Sequence, residues 1–142
     1  MQLKEIDRDK IVISTDKDKL NLEYIHGFLT EAYWAKGRTK ETVNRSIEKS
    51  LCFGIYYEGG QIGFARVITD FTIVAYLADV FIDKDFRRLG LAKELINSAL
   101  TYPELNTIRK WFLVTNDAHG FYEKLGFTGL ARPDKMMELV RG

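Results

Sequence analysis

Residues 79–92 read Asp-Val-Phe-Ile-Asp-Lys-Asp-Phe-Arg-Arg-Leu-Gly-Leu-Ala. They predict a buried strand, a loop with paired arginines and a glycine, and then an amphipathic helix. The first amides of a helix have no intrahelical acceptor, and the helix dipole adds partial positive charge there, so the turn predicts an anion site. Gly90 allows close backbone approach because it has no Cβ, while the guanidinium groups of Arg87 and Arg88 suit phosphate oxygens. A pyrophosphate is the ligand that this turn best predicts.

The composition predicts one globular domain, residues 1–142, with 46% hydrophobic and 29% charged residues. A formal net charge of +1, from 21 basic and 20 acidic residues, gives no general affinity for nucleic acid or an acidic membrane surface. The single cysteine, Cys52, cannot form an internal disulfide, which favours a reducing compartment. The N-terminus has no apolar run of signal-peptide length, and no segment is apolar enough to span a bilayer. We therefore expect a cytoplasmic protein.

Hydrophobic periodicity predicts six strands and four helices in the order β, α, α, β, β, β, α, β, α, β. Asp16 to Asp18 are cap candidates for the first helix, Thr39 or Thr42 for the second, and a hairpin turn is expected at 58–61. The predicted strands are 11–15, 51–57, 62–69, 73–82, 110–114 and 136–140, and the last two helices are 90–101 and 118–125.

This order predicts the α/β (α+β) class, with a mixed, mostly antiparallel central sheet and helices on both faces. Hairpin-linked strands come first and strand–helix–strand crossovers follow. Strands 73–82 and 110–114 flank the third helix, so they should be parallel neighbours.

Two motifs in the right order resemble the GNAT superfamily of acyl-CoA-dependent N-acyltransferases, in the manner of a small bacterial-type member. The first motif of that family is Gln/Arg-x-x-Gly-x-Gly/Ala, and here it reads Arg87-Arg88-Leu89-Gly90-Leu91-Ala92. The second is the "FYEKLGF" run within residues 116–127. One departure is Arg88, because the family often has glycine there. The fold that the resemblance implies agrees with the predicted element order.

The resemblance implies acetyl-CoA as co-substrate, with its pyrophosphate on the backbone N–H groups of residues 87–92. The pantetheine arm would pair like an added strand with Val80, Phe81 and Ile82, and an N–H near Phe81 would face the thioester oxygen. Such pairing requires strands 73–82 and 110–114 to separate at their C-terminal ends. Asn116 holds a position that often bonds the pantetheine in the family.

Tyr122 is the catalytic candidate that the resemblance implies, as the acid that protonates the leaving thiolate. A tyrosine with an ordinary pKa of about 10 carries a proton at neutral pH. The alternative is that Tyr122 only packs its helix. Asp79 is the second candidate, as base, because burying a carboxylate in an apolar strand is costly unless it is solvated or paired. A structural hydrogen bond or salt bridge is its alternative, and water could equally deprotonate the amine.

Tyr33, Trp34 and Arg38 fall in a region that commonly lines the acceptor pocket in the family, although the aromatic rings could equally pack as core or dimer surface. His119 could touch the cofactor or act as a surface cap. No metal site is predicted, because only two histidines occur and no further ligands have suitable spacing. Cys52, in an apolar strand, is expected to be a buried small hydrophobe.

These features predict an N-acetyltransferase that moves an acetyl group to a primary amine of a small molecule or peptide by direct attack in a ternary complex. A non-catalytic acyl-CoA-binding or regulatory domain of the same fold is the alternative. A nucleotide-binding module is disfavoured because neither glycine-rich nucleotide motif occurs. Nucleic-acid and membrane partners are not expected, and the family suggests a homodimer.

Overall fold

The computed structural model describes residues 5–142 as a five-stranded sheet with four α-helices and short 3₁₀ turns. None of the helices in this range is long and apolar enough to cross a membrane. The elements in chain order are β1 (Ile11–Ser14), α1 (Leu22–Leu29), α2 (Lys40–Glu48), β2 (Leu51–Tyr57), β3 (Gly60–Thr69), β4 (Val74–Ile82), α3 (Leu91–Leu100), β5 (Lys110–Phe112) and α4 (His119–Glu123).

The sheet follows sequence order, β1-β2-β3-β4-β5, and only the β4–β5 pair is parallel. The mixed, mostly antiparallel sheet and the parallel neighbours flanking α3 are therefore confirmed. Glu58 and Gly59 form the two-residue turn between β2 and β3, with φ of 50° and 84°. Two positive φ values match the twist of the flanking strands, so the predicted hairpin is also confirmed.

Helices cover the two faces of the sheet with separate apolar cores. The α3 face holds Phe53, Ile55 and Leu95, all at most 1% exposed. The α1–α2 face holds Ile25, Phe64 and their neighbours. Cys52 is buried there as expected, and burial raises the pKa of its thiol to about 11. A thiol that stays protonated at neutral pH is a poor nucleophile, so Cys52 acts as core.

Two predictions about local structure are wrong. Asp16 caps a 3₁₀ turn at Lys17–Lys19 instead of α1, because its side chain accepts from the Asp18 N–H. Asn21 caps α1 by accepting from Tyr24 N–H, whereas Thr39 does cap α2 as one of the two candidates. Residues 136–140 form no strand within the described chain. A strand needs an edge to pair with, and this segment lies exposed without one.

Candidate active site

The central feature of the site is the separation of β4 from β5. Their pairing covers only Val74–Tyr76 against Lys110–Phe112, and β4 then continues to Ile82 paired with β3 alone. Within residues 5–142, no strand pairs with that edge of β4 beyond Tyr76. The predicted separation is confirmed, and it opens a cleft of about 700 Å³. A backbone edge facing a cleft is a site where an extended ligand can pair as a strand does.

A β-bulge at Asp79 shapes the wall of this cleft. Arg66 pairs with Ala78 and Phe64 with Phe81, so one β3 residue between them faces both Asp79 and Val80. Asp79 has a φ of 54°, in the left-handed region that non-glycine residues rarely adopt. Bulges re-aim side chains and disturb the ladder. The bulge turns Asp79 toward the α1–α2 face and its partners Arg38 and Arg66.

The Asp79 carboxylate is buried, with 2% of its side chain exposed, and it accepts from three side chains. The Trp34 indole N–H donates to Oδ1 at 2.9 Å. Arg38 Nη1 lies 3.2 and 3.0 Å from the two oxygens, and Arg66 Nε lies 2.9 Å from Oδ2. A buried charge is tolerated when it is paired in this way. The salt-bridge alternative stated for Asp79 is thus what the structure shows.

Sequence reasoning missed Arg66. Its side chain is 12% exposed, it bridges Asp79, and its Nη1 donates to Ser50 Oγ at 3.1 Å. The available signal was an arginine in the apolar run of β3, one strand away from an aspartate in the apolar run of β4. Opposite charges on neighbouring buried strands favour a cross-strand pair, but the bulge in β4 decides whether these two side chains meet.

Tyr122 lies in α4 and lines the cleft, half-buried. Phe121 and Phe127 contact its ring edge-on, at centroid distances of 5.1 and 5.7 Å. Gly126, at a φ of 100°, follows the helix and lets the Phe127 N–H donate back to the Tyr122 carbonyl at 3.1 Å.

The Tyr122 hydroxyl has no hydrogen-bond partner in the part of the chain that the structure describes. Burial, and then the neighbouring Tyr33, raises the pKa of Tyr122 above its ordinary value. The phenol therefore keeps its proton at neutral pH, and the residue that carries it lines the cleft. Such a group can act as a general acid.

Asn116 and Tyr33 join the two sides of the cleft, because the Asn116 N–H donates to the Tyr33 hydroxyl at 3.2 Å. His119 is the first residue of α4 and does not line the cleft. Its expected cap role is wrong: Ala118 is the N-cap residue, and its N–H donates to Thr115 Oγ1.

The turn from β4 to α3 contains two left-handed residues, Arg88 at a φ of 66° and Gly90 at 79°. Gly90 is the N-cap of α3 and makes no side-chain cap bond. Among residues 5–142, no acceptor pairs with the backbone N–H groups of residues 90–93. Arg88 thus keeps a conformation suited to glycine, at a cost of about 1 kcal/mol. The turn presents a set of free amides to an anion.

Two arginine side chains stabilise this turn by donating hydrogen bonds to backbone carbonyls. Arg87 Nε donates to the Ile82 carbonyl at 3.1 Å, which ties the turn to the end of β4. Arg8 donates to the Leu89 carbonyl and pairs with Glu94 at 2.8 Å. Sequence reasoning assigned Arg87 to phosphate only and did not single out Arg8.

The cleft brings together seven of the sixteen candidates named from the sequence. Phe81 instead packs its ring into the α1–α2 core, stacked on Phe28 at 3.8 Å, and so only its backbone can take part. Arg87 and Arg88 lie at the turn after β4, outside the cleft lining. The candidates that line the cleft are Tyr33, Trp34, Arg38, Asp79, Val80, Asn116 and Tyr122.

The fold and this cleft define a GNAT-type acyltransferase. Residues 48–129 match the acetyltransferase (GNAT) domain, and the chain belongs to that family. The protein is therefore an enzyme of the acyltransferase class.

The similarity to known proteins extends over most of the chain. An N-acetyltransferase named ycf52 from Pyropia yezoensis is 32% identical over 130 residues, which cover 87% of this chain and 73% of that protein. A Xanthomonas campestris protein assigned to the GNAT family has a solved structure with 39% identity and a TM-score of 0.89, covering 92% and 93% of the two chains. N-acetylglutamate synthase from Neisseria gonorrhoeae, solved with coenzyme A and N-acetyl-glutamate, shares the fold at 14% identity and a TM-score of 0.72, over 89% of this chain and 30% of that one.

Proposed function

We propose that the protein transfers an acetyl group from acetyl-CoA to a primary amine of a small molecule or peptide, by direct attack in a ternary complex. The observation that carries the proposal is the Tyr122 hydroxyl. Tyr122 lines the cleft together with β4 residues up to Val80, and its hydroxyl has no partner among the described residues. A proton donor next to a backbone edge suits a thioester whose sulfur must leave as a thiol.

The donor end of the cleft fits an acyl-CoA. The turn that follows β4, beyond the cleft lining, suits the pyrophosphate, because the amides of residues 90–93 are free among the described residues and follow the left-handed Arg88. The β4 edge from Val80 to Ile82 suits the amides of the pantetheine arm, and Asn116 lies on the other side of the gap. The coenzyme A bound by the neisserial protein of the same fold supports this choice of donor.

The proposed chemistry needs no covalent enzyme intermediate. The amine nitrogen forms a bond to the thioester carbonyl carbon, the carbon–sulfur bond breaks, and Tyr122 gives its proton to the sulfur. A backbone N–H near Phe81 donates to the carbonyl oxygen, where charge develops. The proton lost from the amine goes to water, and Tyr122 recovers its own proton from solvent.

We assign Asp79 a positioning role in place of the base role. Three side chains already occupy its oxygens, whereas a general base needs a free lone pair within reach of the amine proton. The carboxylate instead fixes Trp34 and Arg38, which line the cleft beside Tyr33. These three residues form the acceptor end in this proposal.

A thiol-release assay with acetyl-CoA and a panel of amines tests the function. The wild type should turn over at least one amine, and Tyr122→Phe should lower kcat by about 100-fold or more at an unchanged unfolding temperature. Phe121→Leu, which alters the neighbouring ring, is the matched control and should retain most of kcat. Tight CoA binding with no turnover of any amine would instead identify a non-catalytic acyl-CoA-binding domain.

A further inference from the structure

Two arginine side chains in the cleft share a single carboxylate. Arg38 and Arg66 both line the cleft and both bind Asp79, so this part of the lining carries two positive charges and one negative charge. The other charged residue of the described lining, Asp117, is exposed and lies on the β5 side of the cleft. Because the two arginine side chains are only 23% and 12% exposed, water screens their excess charge in part, and a bound anion would be stabilised there.

The two guanidinium groups do not use all of their hydrogen-bond donors. Arg38 binds Asp79 through Nη1 alone, at 3.2 and 3.0 Å from the two carboxylate oxygens. Its Nε and Nη2, which form one edge of the guanidinium plane, have no acceptor among residues 5–142. Arg66 uses Nε for Asp79 and Nη1 for Ser50, which leaves its Nη2 without an acceptor in the same range. The unused edge of Arg38 carries two parallel N–H donors, the arrangement that a carboxylate accepts.

The surrounding structure holds Arg38 in place at both its backbone and its side chain. Its carbonyl oxygen lies 3.0 Å from Nε2 of His26 in α1, and its N–H donates to the Ala35 carbonyl at 3.0 Å. The next residue, Thr39, caps α2. Since Asp79 already fixes the guanidinium group, little side-chain entropy would be lost when the unused edge of Arg38 binds an anion.

Aromatic rings accompany these charges in the lining of the cleft. Tyr33 and Trp34 contact each other edge-to-face, with ring centroids 5.2 Å apart. The indole N–H of Trp34 is bound to Asp79, which fixes the orientation of that ring. Rings of this kind offer apolar contact to the carbon skeleton of a ligand, and a volume of about 700 Å³ is that of a small-molecule site. The cleft thus combines an anion-binding edge with apolar side chains.

We propose that the acceptor is an amino acid, a small amine that also carries a carboxylate, and that its carboxylate binds the Nε–Nη2 edge of Arg38. This inference rests on the proposed acetyl transfer and names the class of its acceptor. The amine nitrogen still forms the bond to the acetyl carbon while the carbon–sulfur bond breaks, and the carboxylate is unchanged by the reaction. Its binding orients the amine, and the excess positive charge disfavours diamines.

Matched pairs of acceptors test the proposal in the thiol-release assay with acetyl-CoA. Each common α-amino acid, and a series of ω-amino acids of increasing chain length, is compared with its own carboxamide. For at least one pair, kcat/KM should be about tenfold or more higher for the acid, because the carboxamide loses the charge-assisted contact. An α-amino carboxamide has the less basic amine and hence more free amine at neutral pH, so intrinsic reactivity does not account for a preference for the acid. O-phosphoethanolamine, compared with ethanolamine, supplies a phosphate-bearing acceptor.

Arg38→Lys tests the residue that we assign to the carboxylate. Lysine keeps a positive charge for Asp79 but lacks the planar edge with two donors. The KM for the preferred acid should rise by about tenfold, while the KM values for its carboxamide and for acetyl-CoA should change by less than about twofold. A purely structural role of Arg38 would affect acid and carboxamide alike. Arg45→Lys, the same substitution at an exposed residue of α2 outside the cleft lining, is the matched control and should change none of these values.

The outcomes separate the acceptor class from the proposed function. Turnover of amines without a preference of any acid over its carboxamide would overturn the acceptor class and leave acetyl transfer in place. A preference that survives Arg38→Lys, or that is largest for O-phosphoethanolamine, would also overturn it.

If no amine is turned over, calorimetry of the same acids and carboxamides with the CoA-saturated protein decides. Binding of an acid that Arg38→Lys weakens about tenfold would support the carboxylate site and refute only acetyl transfer, whereas no binding would overturn both.

Discussion

Replacing Asp79 by alanine should leave two guanidinium groups without their shared anion. The side chains of Arg66 and Arg38 are 12% and 23% exposed, so water can only partly replace the carboxylate. Removing one partner of a buried ion pair costs about 3–5 kcal/mol, and partial exposure here favours the lower value of about 3 kcal/mol. Alanine at a φ of 54° adds about 1 kcal/mol of backbone strain. We expect Asp79→Ala to lose about 4 kcal/mol of unfolding free energy.

Asp79→Asn separates charge from backbone geometry. Asparagine tolerates the left-handed conformation and keeps one acceptor oxygen, so the loss should be smaller, about 2 kcal/mol. In a chain of this size, the unfolding temperature should fall by about 6–8 °C for Asp79→Asn and by roughly twice that for Asp79→Ala. The control is Glu23→Gln, which breaks the exposed pair with Lys40 and should change stability little.

Urea unfolding followed by tryptophan fluorescence measures these differences, with unchanged m-values as the check that the unfolded state is the same. A loss below about 1 kcal/mol for Asp79→Ala would refute the inference that the ion pairs hold this bulge. Kinetics at a temperature where both proteins are folded separates the two roles of Asp79. A positioning role predicts mainly a higher KM for the amine in Asp79→Asn. A large fall in kcat, together with loss of the rise in kcat with pH that a general base produces, would instead identify Asp79 as the base.

Three further outcomes follow from single contacts. Arg87→Ala should raise the KM for acetyl-CoA by about tenfold, more than it lowers kcat, because a charge-assisted hydrogen bond is worth about 1.5 kcal/mol. An unchanged KM in steady-state assays would place the pyrophosphate elsewhere. The folded-state pKa of Cys52 is raised from 9.0 to about 11, so the folded state holds a proton that the unfolded state loses; the urea midpoint should fall as pH rises from 9 to 11, less so in Cys52→Ala. Gly63→Ala would place a Cβ 2.7 Å from the Phe81 carbonyl oxygen. We expect the free energy of unfolding, measured by urea titration, to fall by about 1–3 kcal/mol.

Features encoded by neighbouring residues could be predicted from the sequence. The turn 87–92 depends on a strand, a glycine and a helix start that are contiguous, and these are the signals that local patterns carry best. The parallel pairing around α3 follows from the handedness and length of one crossover. Even the unusual Arg88 could be recognised, because a glycine-favoured position implies a backbone conformation that the structure does show at a φ of 66°.

Features that depend on which residues meet across the sheet could not be predicted. Asp79 and Arg66 lie 13 positions apart, and their pairing depends on a bulge that no local pattern announces. The start of α1 was misplaced because Asp16 and Asn21 are both good caps, and tertiary contacts decided between them. The strand expected at 136–140 has suitable residues, but strand formation also requires a partner edge.

The bulge at Asp79 connects the two ends of the cleft. Its left-handed backbone turns the carboxylate to the side of the cleft that we propose for the acceptor, where it holds Trp34 and Arg38. The same change of register sets how the next residues of β4, from Val80 onward, present their backbone to the gap beside β5. In the function that we propose, a residue that fixes both surfaces relates the position of the acceptor to that of the thioester. Perturbing Asp79 should therefore raise mainly the KM of the amine and, to a smaller degree, that of acetyl-CoA, whereas Arg87→Ala, at the far end of β4, should alter only the KM of acetyl-CoA.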